Sequence, residues 1–289
     1  LGLYQGFAMY YRFAALDVAS PSFRSRAISF VLAGGVIAAF LGPWNASAMG
    51  DLVPEVTDGG PYLVISLLAL FAIALLTQLK VPDAGEPREG ETGRSIKLIA
   101  KDPAFTVALA AGAIGYAVMM LVMTATPLAM RAQSFEMDQV AFIMQWHVLG
   151  MYAPSFFTGS LISRFGVERI LATGVVILLA TVAVTNLGVG LAHFWVGLVL
   201  LGVGWNFLFV GATTLLTEAY RPSERAKTQA ANEFLVFGTV ALGSLSSGAL
   251  QNAWGWSTVN MAMLPPALLA VAATVMLARH RRRDAAIIP

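Results

Sequence analysis

The chain has 289 residues, of which 57% are hydrophobic and 12% charged, with a net charge of +2; its mean hydropathy is +0.72. A soluble domain carries about 25% charged residues, so the composition excludes an ordinary water-soluble fold. Cysteine is absent, which excludes disulfides and thiolate metal sites, and there is no phosphate-binding loop and no support for nucleic-acid binding.

Nine apolar segments follow one another, at roughly 1–19, 27–43, 61–79, 104–130, 139–163, 170–190, 192–217, 229–251 and 256–278. Most reach the ~20 residues that span a bilayer as helix. No period-2 alternation suggests a barrel, and helices are the other way to satisfy backbone groups in lipid. The predicted class is an all-α membrane protein with nine transmembrane helices.

The first segment holds Arg12 behind Tyr10 and Tyr11, and ends near Asp17. A charge at the centre of a spanning helix costs at least ~2.5–3.5 kcal/mol. Arg12 has two readings. It holds an anionic group of a substrate, since guanidinium pairs well with carboxylate and phosphate, or it forms a salt bridge to Asp17 or to an acid outside this sequence.

A basic loop follows, and it recurs at an offset of 201 residues. Asp17, Pro21-Ser22, Arg24 and Leu41-Gly42 align with Glu218, Pro222-Ser223, Arg225 and Leu242-Gly243 (17 + 201 = 218). Five of the 27 residues from Asp17 to Pro43 are identical. Parallel repeats of about six helices are a common plan of secondary transporters. Only one segment precedes the first copy and six more separate it from the second, so about three helices are expected ahead of Leu1.

In the second segment Gly34, Ala38 and Gly42 fall four apart on one face, where small residues let another helix approach. The loop 44–60 beyond it carries Asp51, Glu55 and Asp58 and no cation. Residues 80–103 hold Pro82, Pro87 and several glycines among mixed charges, and read as a solvated linker with a short surface helix near Ser95–Ala100. The linker divides the chain into 1–79, with three spans, and 104–289, with six and a basic tail. Sixteen of the 18 Lys and Arg lie in alternate loops and the tail, on one side. The positive-inside rule makes that side, and the C-terminus, cytoplasmic, in a multi-pass protein of the inner membrane.

Further along, His147 lies within a span, and Glu233, beside Asn232, sits one to two turns into the eighth segment. His147 is either a proton shuttle or a hydrogen-bonded interior residue. Glu233 is either a proton site or an interfacial acid.

The run Gly159-Ser160-Leu161-Ile162-Ser163-Arg164-Phe165-Gly166-Val167-Glu168-Arg169 resembles the Gly-x-Leu-x-Asp-Arg-x-Gly-Arg-Arg loop of the major facilitator superfamily, with Ser163 in place of the Asp and Glu168 where a cation is common. Gly34 to Pro43 is similar to the helix-five Gly-Pro motif of its proton-coupled antiporters, without the following Gly-Gly. The resemblance implies two six-helix bundles, with helices four to twelve present. It makes Arg12 and Tyr11 of helix four, Tyr116, Met120 and Thr124 of helix seven, and Trp205 and Asn206 of helix ten candidates for the substrate cavity. It makes His147 and Glu233 candidates for proton coupling. By the same resemblance Asp17, Arg24, Arg164, Arg169, Glu218 and Arg225 are candidates for cytoplasmic ion pairs that gate the two halves; the arginines also read as topology anchors. The implied function is alternating-access transport of a small organic solute, anionic or amphiphilic, coupled to protons, by a full-length monomer without cofactors. An inactive transporter fragment is one alternative. A membrane-embedded enzyme is another, but it needs two or more catalytic groups at one depth, and no Gly-x-Ser-x-Gly elbow is present.

Overall fold

The computed structural model describes residues 2–53, 56, 59–78 and 93–287. Among them are twelve α-helices: α1 (Gly2–Val18), α2 (Arg24–Ala33), α3 (Gly35–Ala48), α4 (Gly59–Leu76), α5 (Ile96–Ile99), α6 (Pro103–Ala132), α7 (Met137–Tyr152), α8 (Ser155–Phe165), α9 (Val167–Leu187), α10 (Leu191–Leu216), α11 (Arg225–Met261) and α12 (Leu264–Ile287). No strand occurs among the described residues. Glu55, Asp58 and positions 80–92 of the linker lie outside them, as does the Asp51 side chain.

Local chemistry sets the boundaries. Asp102 caps α6 by accepting from the Ala104 N–H at 2.9 Å, with Pro103 in the first turn. At the start of α7 the Glu136 N–H donates to Gln139 Oε1 at 2.9 Å and the Gln139 N–H to Asp138 Oδ1 at 2.7 Å. Pro154 ends the α7 run, so the expected 139–163 span is two helices rather than one. Gly166 has φ +87 and turns the chain between α8 and α9. Gly255, at φ +78, bends α11 where the sequence places the boundary between the last two spans.

Among the described residues, six stretches are long and apolar enough to cross a membrane by length and composition. The nine expected segments exceed this number for three reasons. α1 is only 17 residues long and carries Arg12 and Asp17; α7 and α8 are each short; and the helix runs through Gly255, which joins the last two segments into one stretch, Pro222–Arg283.

The repeat has a backbone counterpart. A 3-10 turn spans Pro21–Phe23 before α2, and another spans Pro222–Glu224 before α11, at the same offset of 201 (21 + 201 = 222). α2 and α3 pack on α8 and α7, while α6, α9, α10 and α11 pack around one another. Outward faces are apolar: Phe234, Leu245 and Met276 are each at least 70% exposed, as a lipid-facing surface requires.

Gly34, Ala38 and Gly42 do not meet a neighbouring helix as expected. They line a groove of about 660 Å³ between α3 and α4, and a Cβ on Gly42 meets nothing within 4 Å. The tight contact belongs to the adjacent Gly35, where an added Cβ would run into the Tyr152 ring. A shift of one residue turns a helix by about 100°, which is enough to exchange the two faces.

Candidate functional site

Two ion pairs cross between α1 and α11. In the inner one the Arg12 Nη2 donates to Glu233 Oε1 at 2.6 Å, and Asn232 Nδ2 donates to the same oxygen at 3.0 Å. Arg12 is 2% exposed. Its guanidinium lies between two rings, 4.6 Å from the Phe13 centroid and 4.5 Å from that of Phe209. Phe209 stacks on Trp205 at 4.8 Å and 14°. Tyr116 meets Trp205, Phe209 and Phe237 edge-on at 5.4, 5.5 and 5.6 Å. A desolvated cation over an aromatic face gains about 2 kcal/mol, so the rings offset part of the cost of burying the charge.

The pair retains unused hydrogen-bonding capacity. Arg12 Nε and Glu233 Oε2 are buried and have no hydrogen-bond partner among the described residues. A buried ion pair is weak evidence for stability. One that keeps polar atoms unsatisfied next to an aromatic cluster is suited to binding a polar group or a proton.

The outer pair lies toward the basic loops, where Arg225 Nη1 donates to Asp17 Oδ1. Five residues separate it from Arg12 along α1, and eight separate it from Glu233 along α11, about 8 Å and 12 Å of helix. The acid and the base exchange helices between the two pairs. Beside this seam, α2 meets α8: Ser25 Oγ donates to the Gly159 carbonyl at 3.0 Å and lies 3.0 Å from Ser163 Oγ. Ser163, which stands where the family motif has Asp, thus makes an uncharged contact across the interface.

The expected site residues fall into separate groups. Arg12, Glu233, Tyr116 and Trp205 come together in the inner cluster. Met120 and Thr124, half-buried, continue along α6 one and two turns beyond Tyr116. Tyr11 is 37% exposed and takes part in no ring contact among the described residues; Tyr10, its neighbour, packs on Phe13 at 5.8 Å. Asn206 is bonded to neighbouring helices. Its amide nitrogen donates to the Met151 carbonyl at 2.7 Å and Ser155 Oγ at 2.6 Å, and its oxygen accepts from Thr158 at 2.7 Å. All of these tie α10 to α7 and α8, and both N–H groups of the amide are used. His147 is fully buried, with Nδ1 2.8 Å from the Leu198 carbonyl, and joins α7 to α10.

Of the gating candidates, Asp17 and Arg225 pair with each other. Glu218 pairs with Arg281 at 2.5 Å, and Arg281 also holds Glu168 at 3.2 Å. Arg24 and Arg169 are exposed and in no ion pair among the described residues, and Arg164 lies over the Phe165 ring at 5.2 Å. The sequence reading missed Glu224. It is fully buried in the turn before α11 and accepts from Arg94 Nε and Nη2 at 2.9 and 2.7 Å, from the Arg94 N–H at 2.7 Å and from the Arg221 N–H at 3.0 Å. The Arg94 guanidinium holds this carboxyl down to about 2. The available signal was the three-residue spacing that lets the Glu224 carboxylate reach back to the Arg221 N–H at the start of the turn.

An all-helical membrane chain built on a repeat, with a charged seam between its parts, has the architecture of a secondary transporter. The chain belongs to the Major Facilitator Superfamily, whose sequence profile matches residues 111–288. It is 40% identical over 287 residues to the riboflavin transporter RfnT of Brucella anthropi, covering 99% of this chain and 72% of that protein. It is 27% identical to the MFS-type transporter YdeG of Bacillus subtilis, over 83% of this chain and 59% of that protein. Among solved structures, the E. coli fucose:proton symporter FucP has a TM-score of 0.63 at 17% identity, covering 95% of this chain and 72% of that one. A bacterial homologue of the iron transporter ferroportin, in an outward-facing state, has a TM-score of 0.63 at 14% identity, covering 95% and 70%. The relatives make the protein a multi-pass membrane transporter rather than an enzyme.

Proposed function

We propose that the protein moves a planar, amphiphilic organic solute of the riboflavin type across the inner membrane, in exchange with or together with protons. The observation that carries this reading is the Arg12–Glu233 pair enclosed by Phe13, Tyr116, Trp205 and Phe209. Aromatic faces bind a flat conjugated ring by stacking. The free N–H of Arg12 and the free oxygen of Glu233 match the carbonyl and N–H edge of such a ring. The riboflavin transporter at 40% identity supports the same solute class.

Both pairs of the seam join α1 to α11, so opening this side separates two acids from two bases at once. A solute group that binds Arg12, or a proton that neutralises Glu233, removes the inner attraction and lowers the cost of opening. This is the differential interaction that alternating access requires. Asp17–Arg225 then acts as the latch on the side of the basic loops, which the positive-inside rule makes cytoplasmic, with the C-terminus on the same side. The linker 80–103 would join a bundle ending near residue 79 to one beginning near residue 104, and the full-length carrier would act as a monomer.

The test is flux of riboflavin, followed by its fluorescence, in vesicles containing the full-length protein under an imposed pH gradient. A gradient-dependent flux is expected. Flux that ignores both the pH gradient and the membrane potential would favour a facilitator and defeat the coupling.

A further inference from the structure

Away from the seam, α9 and α12 carry matching stripes. Arg169, Ala172 and Val176 lie on one face of α9, and Val271, Val275 and Arg282 on one face of α12, at spacings that keep each set on a single side of its helix. The two faces enclose a groove of about 380 Å³. Val175 and Thr274 are buried at its floor, while Val176 and Val275 are exposed on its walls, so the groove opens outward toward lipid. At its end stand Arg169 and Arg282, both exposed and in no ion pair among the described residues. Among the described residues, Glu168 and Arg281 are the other charged groups there. Arg281 is shared by Glu168 at 3.2 Å and Glu218 at 2.5 Å, so the five groups together keep a net charge of +1, carried at the rim by Arg169 and Arg282.

The result is an apolar trough under two guanidiniums that form no ion pair among the described residues. It runs from Arg282 to Val271, eleven residues or about 16 Å of helix. A soluble anion would match only the rim, and a neutral acyl chain only the walls. We infer that the groove binds one anionic phospholipid, its phosphate between Arg169 and Arg282 and an acyl chain against Val176 and Val275. Guanidinium binds phosphate bidentately, and basic pockets between spanning helices on the cytoplasmic side recognise anionic headgroups. The inference rests on the orientation argued above, which places this end at the cytoplasmic leaflet.

The test is native mass spectrometry of the full-length protein, released from detergent with phosphatidylglycerol or phosphatidylcholine of identical acyl chains. The wild type should keep one phosphatidylglycerol and lose phosphatidylcholine. Arg169→Gln with Arg282→Gln should weaken phosphatidylglycerol retention at least tenfold, and Val275→Phe should weaken it with the charges intact. Arg279→Gln with Arg283→Gln, which removes tail charge outside the groove, should not. Equal retention of the two lipids, equal loss in the tail variant, or displacement by glycerol phosphate at matched concentration would overturn the inference. Riboflavin flux measured on the same preparations separates the two readings. Lipid retained without flux leaves this site standing and defeats the solute assignment. Normal flux without lipid preference does the reverse.

Discussion

Glu218 occupies in the second repeat the place that Asp17 holds in the first, yet the two acids do not have equivalent partners. Asp17 is paired with Arg225. The symmetry mate of that bond would join Glu218 to Arg24 (24 + 201 = 225), but Glu218 is held by Arg281 of α12 at 2.5 Å instead. The ion pairing is therefore unequal between the two copies of the repeat: Asp17 bonds across to α11, whereas Glu218 is taken by Arg281.

It follows that Asp17→Asn or Arg225→Gln should loosen the side carrying the basic loops. The chain has no cysteine, so single cysteines introduced near Ser22 and Ser223 report opening directly. Labelling should rise in either variant and return to the wild-type rate in the Asp17→Arg, Arg225→Asp exchange. Arg281→Gln should have the opposite effect, slowing labelling as Glu218 becomes available to Arg24. Unchanged labelling in all four variants would remove the latch role.

The inner pair should behave differently from the outer one. Removing one partner of a buried pair leaves an uncompensated charge, at a cost of about 3–5 kcal/mol. Arg12→Gln alone and Glu233→Gln alone should therefore lower the melting temperature in detergent. The double variant, with no charge left to bury, should recover most of it. In vesicles Glu233→Gln should retain solute exchange at equal pH and lose acceleration by a pH gradient, whereas Arg12→Gln should lose solute binding in both conditions. Gradient-driven transport by Glu233→Gln would assign the proton elsewhere.

The sequence made Arg12 conspicuous because a guanidinium inside a span is costly wherever it sits. It could not name the partner, since Glu233 lies 221 residues away and the repeat aligns Arg12 with Thr213, not with an acid. Helix ends were legible at Gly166 and near Gly255, where the expected segments stop, but the expected span 139–163 ran through the break at Pro154. Face assignments were less so. Gly34 and Gly35 are indistinguishable by composition, and only the docking of α3 against Tyr152 decides which one is close-packed. The bonding of Asn206 was hidden for a related reason: an amide in a helix serves a cavity or a neighbouring helix equally well, and the hydroxyls of Ser155 and Thr158 bonded to it are about 50 residues away in sequence.

The linker anchor gives a pH-dependent expectation. The Glu224 carboxyl is held at about 2 by Arg94, below the ~4.3 of an unfolded chain. Because the folded value is depressed, the stabilisation is fully present above about pH 4.3 and is lost as pH falls toward 2. Arg94→Gln should cost about 1–3 kcal/mol at neutral pH by leaving a buried acceptor unsatisfied. The difference in melting temperature between wild type and variant should shrink between pH 4 and pH 2. At pH 7 the variant should also be cleaved faster by protease within 80–103. A gap that persists unchanged to pH 2 would mean that the anchor is not electrostatic.

Two glycines separate close packing from mere smallness. A Cβ on Gly159 would fall 2.5 Å from the Ser25 carbonyl oxygen and 2.7 Å from Arg26 Cα. Both are backbone atoms, so α2 and α8 must move apart to admit even a methyl group. Gly159→Ala should cost about 1–3 kcal/mol, as overpacking typically does, and should break the Ser25–Ser163 contact. Gly42→Ala meets nothing within 4 Å and sits inside α3, where alanine is favoured over glycine by about 0.5–1 kcal/mol. It should be neutral or stabilising. Melting temperatures of the two variants, with riboflavin flux alongside, decide the matter. If Gly42→Ala is the more damaging of the two, then the Gly34–Ala38–Gly42 face, not the Gly159 crossing, is where helices meet in the working carrier.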